Sequence, residues 1–156
     1  MELYENMRCE PVGMLALREP VALPITATVK DAIQAMREKK LGCAIIVDEN
    51  RIPLGMFTES ELTRLLSEES LVWDEPVTRY LTRDWPAVTI TDPISAVLDA
   101  LETKNIRFLI VVDDQGKVVG LTGQKGLMEY VAEHFLQQVS VQRIGGNPYP
   151  VEREGA

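Results

Sequence analysis

The chain has 156 residues, of which 46% are hydrophobic and 26% charged, and its formal net charge at pH 7 is -8. This composition is typical of one globular domain or two closely packed half-domains, and it excludes an intrinsically disordered chain. The acidic excess argues against a nucleic-acid partner, because binding a phosphate backbone requires clustered Lys and Arg. A small nucleotide remains compatible with it, since one phosphate needs only one or two local donors.

The N-terminal residues and the two cysteines indicate the compartment. Residues 1–7 contain Glu2 and Glu5 and have no long apolar run, so neither a signal peptide nor a membrane span is predicted. Cys9 and Cys43 lack the spacing of a metal site, and Cys43 falls in an apolar stretch that is typical of a buried strand. We therefore expect a reduced, cytoplasmic protein.

One sequence pattern occurs twice along the chain, at a constant offset of 65 residues and without gaps. The clearest matches are Glu10-Pro11-Val12 with Glu75-Pro76-Val77, Val47-Asp48 with Val112-Asp113, and Gly55 with Gly120. Because a missed repeat leads to a wrong fold, this duplication is the first structural constraint.

Each copy predicts the order strand, helix, strand, strand, helix. The first copy gives strand 21–23, helix 29–36, strand 43–47, strand 52–57 and helix 59–66. The second copy gives strand 87–90, helix 94–101, strand 108–112, strand 117–122 and helix 124–135. Thr28 and Asp92-Pro93 mark the starts of the first helices, and acidic turns join the two buried strands of each copy.

This order of elements, with an aliphatic run ending in Val-Asp and a later Gly-apolar-apolar-Thr-x-x-acid turn, resembles the cystathionine-β-synthase (CBS) repeat. The resemblance covers about residues 10–135. It implies an α/β (α+β) fold in which two tandem β-α-β-β-α repeats, 10–70 and 75–136, pack sheet to sheet. Residues 1–9 and 137–156 are then terminal extensions. The family is mostly regulatory and binds adenine nucleotides or adenosyl compounds in clefts between repeats, so AMP, ADP, ATP and S-adenosylmethionine are the candidate ligands.

The turn from Gly55 to Glu61 carries the most informative motif. In members of the family, the hydroxyl at the position of Thr58 faces the ligand phosphate or ribose, and the acid at the position of Glu61 accepts hydrogen bonds from the ribose hydroxyls. Thr58 is also a candidate helix N-cap, and the helix N-terminus favours a nearby anion. Thr58-x-x-Glu61 equally fits a capping box that needs no ligand. Glu61 is one methylene longer than the usual Asp.

The second copy departs from this motif, because Gly123 and Gly126 stand where the hydroxyl and the acid belong. We expect this site to be silent, which leaves at most one standard site per chain. The alternative is that the two glycines admit close backbone approach to a ligand, with Lys125 meeting a phosphate.

Further candidates come from the resemblance alone. Lys104 and Arg107 stand before the strand 108–112, where basic residues reach ligand phosphates in some members. Solvated surface charges are the alternative. Ala22, Leu23 and Ala44 match apolar positions that flank the adenine, although core packing explains them equally well.

No catalytic function is predicted. His134 is the only histidine, and no nucleophile motif, P-loop or dinucleotide-binding glycine motif occurs in the sequence. We therefore expect a protein that is not an enzyme and requires no cofactor or metal.

The last helix has a broad apolar stripe formed by Leu127, Met128, Val131, Phe135 and Leu136, extended by Val139 and Val141. Together with Leu65-Leu66 it predicts a homodimer, with intramolecular packing as the alternative. Residues 143–156 contain glycines and prolines that are typical of a flexible tail or a strap on a partner. A degenerate CBS pair that binds no ligand and serves in dimerisation or docking to an unknown regulated protein is the second functional hypothesis.

Overall fold

A computed structural model describes residues 2–82, 84–104 and 106–145, with side chains as far as residue 137. The described chain contains two three-stranded sheets, one from each sequence repeat. Its strands are β1 (Ala22–Pro24), β2 (Cys43–Val47), β3 (Pro53–Thr58), β4 (Ala87–Thr89), β5 (Phe108–Val112) and β6 (Val118–Gly123). Its α-helices are α1 (Glu2–Cys9), α2 (Val29–Lys39), α3 (Glu59–Ser67), α4 (Ile94–Lys104) and α5 (Gln124–Gly145). Short 3-10 helices span Val12–Met14 and Val77–Tyr80.

The two sheets have the same topology. In each, the central strand pairs in parallel with the short first strand and antiparallel with the third. Every residue of β2 is buried, which explains why the sequence there is a continuous apolar run. The ladder shifts register after Ile46 and, 65 residues later, after Val111. The predicted α+β fold of two β-α-β-β-α repeats is therefore confirmed.

Side-chain caps and turns account for the ends of several elements. Thr28 Oγ1 accepts a hydrogen bond from the Asp31 amide at 3.2 Å, and the Asp31 carboxylate accepts one from the Thr28 amide at 2.9 Å. This is a complete capping box at the start of α2. Asp48 Oδ1 accepts hydrogen bonds from two turn amides between β2 and β3, and Asp113 Oδ1 does the same between β5 and β6.

The segment that precedes each first strand packs on the other repeat. Val12 donates from its amide to Asp92 O at 2.8 Å, and Val77 donates to Ala27 O at 3.0 Å. Val12 is fully buried in the core that contains β4 and β5, whereas Val77 is fully buried in the core that contains β1 and β2. The sequence repeats and the hydrophobic cores therefore do not coincide.

Two features of the termini differ from the sequence prediction. Helix α1 was not predicted. It contacts α4, and its Met7 is buried in the core that contains β4 and β5. Helix α5 continues to Gly145, so residues 137–145 are helical, and residues 143–145 do not belong to the predicted tail. The side chains of Val139 and Val141, and residues 146–156, lie outside the described residues. None of the helices in the described ranges is long and apolar enough to cross a bilayer.

Candidate functional site

A cleft of about 620 Å³ lies between the two repeats. The first repeat contributes the entrance to β2, the end of β3 and the first turn of α3, and the second contributes the segment before β4, the entrance to β5 and the start of α5. The lining residues are Gly42, Met56, Thr58, Glu59, Ser60, Thr82, Asp84, Trp85, Pro86, Ile106, Arg107, Phe108 and Gln124. Its volume and its mixture of aromatic and polar side chains are typical of a small-molecule site.

Thr58 lies in this cleft and is the N-cap of α3. Its Oγ1 accepts a hydrogen bond from the Glu61 amide at 3.4 Å, while the Glu59 amide donates to Gly42 O at 3.0 Å. Two of the four amides that a helix start leaves without helical partners are thus satisfied by the protein. Ser60, whose amide lies between them, lines the cleft.

Glu61 is not among the residues that line the cleft. Its carboxylate accepts hydrogen bonds from Nε and Nη2 of Arg64 at 3.3 and 3.0 Å, and Arg64 also donates to Glu68 at 2.8 Å. These carboxylates raise the pKa of the Arg64 guanidinium. In α3 the acid of the predicted capping box is therefore turned toward Arg64, which donates both hydrogen bonds to its Oε2.

Arg107 lines the cleft from the second repeat. Its guanidinium lies 3.6 Å from the Glu59 carboxylate of the first repeat, and both side chains are largely exposed. This ion pair joins the two repeats at the mouth of the cleft. Lys104, the other basic candidate, is an exposed residue at the end of α4 and does not line the cleft.

The apolar candidates lie in or against the core that contains β1 and β2. Ala22 pairs with Ile45 and Leu23 with Ile46 in the sheet, and both pack against the buried cluster. Ala44 is completely buried, and Gly55 is buried with its Cα facing the side chain of Leu81. None of these four residues is among those that line the cleft.

The glycines of the second repeat have a packing role. A Cβ at Gly123 would lie 2.3 Å from the backbone carbonyl oxygen of Arg107. A Cβ at Gly126 would lie 2.6 Å from Thr122 Oγ1, a buried hydroxyl with no hydrogen-bond partner in the structure. The groups that approach these two glycines closely are therefore the Arg107 carbonyl and the Thr122 hydroxyl of the chain itself.

Sequence reasoning missed several residues of the cleft. Asp84, Trp85 and Pro86 precede β4, Phe108 begins β5, and Glu59 opposes Arg107. The repeat offset aligns Asp84-Trp85 with Glu19-Pro20, which gives no signal of a shared site. Glu59 could have been recognised from the sequence, because it is the acid immediately after the N-cap of α3.

Cys43 lies beside this site, since it pairs with Thr58 across β2 and β3. Burial raises the pKa of its thiol to about 12, with a smaller contribution from the Glu59 carboxylate. The thiol therefore stays protonated and poorly nucleophilic at neutral pH.

The family model of the CBS domain matches residues 12–68 and 77–133. The chain belongs to the CBS domain family. This confirms the resemblance drawn from the repeat. A curated relative, an uncharacterised 17.7 kDa protein of Acidianus ambivalens, is 25% identical over 127 residues, which cover 81% of this chain and 76% of the relative. Of two further curated relatives, the chain spans 63% and 33% of their lengths.

Solved structures of CBS pairs have the same fold. A CBS domain protein from Pyrobaculum aerophilum complexed with AMP is 24% identical, with a TM-score of 0.68 over 78% of this chain and 98% of that one. A CBS domain pair in complex with 5′-methylthioadenosine and S-adenosyl-L-methionine is 18% identical, with a TM-score of 0.70 over 81% of this chain and 98% of that one.

Proposed function

We propose that this chain is a non-catalytic regulatory module that binds one adenine nucleotide or adenosyl compound in the cleft between its two CBS repeats. The cleft itself carries the proposal, because both repeats contribute to it and a small ligand would contact both. A ligand that contacts both repeats favours the arrangement of the repeats to which it binds best. A partner protein that contacts the module can respond to that change. The regulated protein is not identified by this site.

The lining residues suit an adenosyl group. Met56, Trp85, Ile106 and Phe108 offer apolar and aromatic surface for a purine, and the hydroxyls of Thr58 and Ser60 with the amide of Gln124 offer hydrogen bonds for a ribose. The two ligand-bound CBS structures support the choice of ligand class. Under this proposal Gly123 and Gly126 supply no hydroxyl or acid for a second standard site, so binding is one ligand per chain.

Calorimetry with AMP, ADP, ATP and S-adenosylmethionine tests the proposal. We expect a stoichiometry near one per chain for at least one of these compounds and an upward shift of thermal unfolding. Trp85 provides an optical readout, because the chain has two tryptophans and Trp73 is not among the cleft residues. In a Trp73→Phe background, ligand should change the fluorescence of Trp85. Absence of binding by all these compounds would contradict the proposal, as would two equivalent sites per chain.

We also propose that CBS modules of this chain pair as homodimers through α3 and α5. Four large apolar side chains on these helices are exposed: Leu66 by 56%, Met128 by 72%, Phe135 by 55% and Leu136 by 67%. This observation also supports the second function, a dimerisation or docking module that needs no ligand. Phe135→Glu would place an unpaired charge in such an interface and should yield monomers in sedimentation, whereas Glu49→Gln in an exposed turn should leave the dimer intact. A monomeric wild-type protein contradicts the dimer.

The proposal assigns no catalytic residue to the chain and places it in the cytoplasm. Cys9 and Cys43 are both free thiols, as expected in a reducing compartment. Turnover of ATP by the pure protein, lost on mutation of a cleft residue, would contradict the non-catalytic assignment.

A further inference from the structure

The described residues that line the cleft carry more negative than positive charge. Among the described residues that line it, two are carboxylates, Glu59 and Asp84, and one is a guanidinium, Arg107. Arg107 is already paired with Glu59 at 3.6 Å. Lys104 and Lys125 are exposed and do not line the cleft. Arg83 lies outside the described residues, so its charge is not counted here.

A phosphate that enters this cleft meets two electrostatic penalties. It must compete with Glu59 for Arg107, and it adds a charge of about -1.5 to -2 at pH 7 to a site that already contains Asp84. Because Glu59, Arg107 and Asp84 are largely exposed, each penalty weakens binding by up to about fivefold, and the two together by roughly tenfold or more. A neutral nucleoside such as 5′-methylthioadenosine avoids both penalties, and Trp85 and Phe108 remain available to it. S-adenosylmethionine has a sulfonium, an ammonium and a carboxylate, so it is a net cation and is favoured overall even though its carboxylate is repelled.

We propose that Glu59 and Asp84 make the cleft selective for adenosyl ligands that carry no phosphate, such as a neutral nucleoside or a sulfonium compound, over adenine nucleotides. This inference rests on the proposed function and defines its ligand class. Glu59 is the main specificity-determining residue, because it both neutralises Arg107 and repels an anion.

The first experiment compares ligands that share adenosine and differ in charge. Adenosine, 5′-methylthioadenosine, S-adenosylmethionine, AMP and ATP are titrated into the full chain, with calorimetry or the fluorescence of Trp85 in the Trp73→Phe background as the readout. We expect 5′-methylthioadenosine and S-adenosylmethionine to bind at least tenfold more tightly than AMP, and ATP to bind most weakly. The difference between AMP and 5′-methylthioadenosine should shrink at high salt, because exposed charges are screened.

The second experiment removes the proposed discriminating charges. Glu59→Gln frees Arg107 and should strengthen AMP binding about tenfold relative to that of 5′-methylthioadenosine. Asp84→Asn should act in the same direction. Glu49→Gln is the matched control: it removes the same charge roughly 20 Å away along β2, beyond the screening length of about 8 Å at physiological salt, and should not change the ratio. Thermal unfolding of each free variant checks that it is folded.

The outcomes separate this inference from the proposed function. If AMP binds more tightly than 5′-methylthioadenosine, Arg107→Gln weakens it, and Glu59→Gln has no effect, the selectivity is wrong while the cleft remains an adenosyl site. If Glu49→Gln changes the ratio as much as Glu59→Gln does, the selectivity is not local and the inference is also wrong. If no compound binds the wild type or Glu59→Gln, the proposed function fails and the inference fails with it.

Discussion

The turns that lead from β3 into α3 and from β6 into α5 occupy equivalent places in the two CBS repeats but are built differently. In the first, Thr58 caps the helix and opens onto the cleft. In the second, Gly123 takes the same position, and its Cα faces the carbonyl of Arg107. The hydroxyl one residue earlier, on Thr122, is buried, whereas its counterpart in the first repeat is the fully buried Phe57.

This comparison shows that equivalent turns in the two repeats can be used differently, one for access to the cleft and one for tight packing. A repeat that presents a polar side chain to the cleft needs room around its N-cap, and a repeat that packs tightly needs a residue without a side chain at the same position. Packing gives a reason for glycine at 123, where a Cβ would meet the Arg107 backbone, and at 126, where it would meet Thr122. That ligand binding depends on the first repeat stays a prediction.

The largest effect is expected from adding a side chain to the tightly packed turn. Gly123→Ala places a Cβ 2.3 Å from the Arg107 carbonyl oxygen, and both are backbone-anchored, so β5 and β6 must separate. We expect the free energy of unfolding to fall by about 3 kcal/mol or more. Thr58→Ala is the matched change in the first repeat and should cost only about 1 kcal/mol, the usual value for an N-cap. Denaturant titration measures both, and equal losses would contradict the proposed difference between the turns.

The next effect concerns ligand-dependent stability. A ligand at 100 times its dissociation constant stabilises the wild type by about 2.7 kcal/mol. If Glu61 leaves Arg64 to accept the ribose hydroxyls, Glu61→Ala should remove most of this gain and cost the free protein at most about 1 kcal/mol. Glu68→Ala is the control, because Glu68 is the other carboxylate bound to Arg64 and no contact with the ribose is proposed for it. A full ligand shift in Glu61→Ala, measured by thermal unfolding, would show that the acid is only a partner of Arg64.

A smaller effect of opposite sign is expected at Thr122. Its Oγ1 is buried and has no hydrogen-bond partner in the structure, so the hydroxyl carries a desolvation cost without compensation. Thr122→Val keeps the shape and should stabilise the protein by about 1 kcal/mol. Thr58→Val in the first repeat should instead destabilise it, because that hydroxyl caps α3. Loss of stability in Thr122→Val would mean that the buried hydroxyl has a partner in solution.

Much of the fold could be predicted from the sequence, because the 65-residue offset and the apolar runs at β2 and β5 are local patterns. The burial of Val12 and Val77 in the core of the other repeat could not be predicted, because an apolar residue in a short segment does not indicate which sheet it packs on. Of the candidate site residues, Thr58 and Arg107 lie in the cleft. Asp84 and Trp85 were missed because their counterparts in the first repeat, Glu19 and Pro20, indicate no site, and because they reach the cleft only through the packing of one repeat on the other.

The last prediction compares the two copies of the Glu-Pro-Val motif. Glu75 accepts a hydrogen bond from the nearby Tyr80, whereas Glu10 accepts one from Tyr130, which lies in α5. Burial, followed by the hydrogen bond to Glu10, raises the pKa of Tyr130 from 10.0 to about 12. Because the folded state holds the phenol proton more tightly than the unfolded state does, this contribution to stability is complete below pH 10 and is lost as the pH rises toward 12.

We therefore expect the free energy of unfolding to decrease between about pH 10 and pH 12, and Tyr130→Phe to make that decrease shallower. Burial also raises the pKa of Cys43 to about 12, so the measurement is made in a Cys43→Ala background to isolate the tyrosine. Tyr80→Phe is the matched variant in the first repeat. Tyr80 has a raised pKa for a different leading reason, its hydrogen bond to Glu75, and its bond closes a loop of only a few residues. Tyr130 ties α5 to the N-terminal segment, so its loss should loosen that contact more. Identical pH profiles for wild type and Tyr130→Phe would show that folding does not raise the pKa of Tyr130.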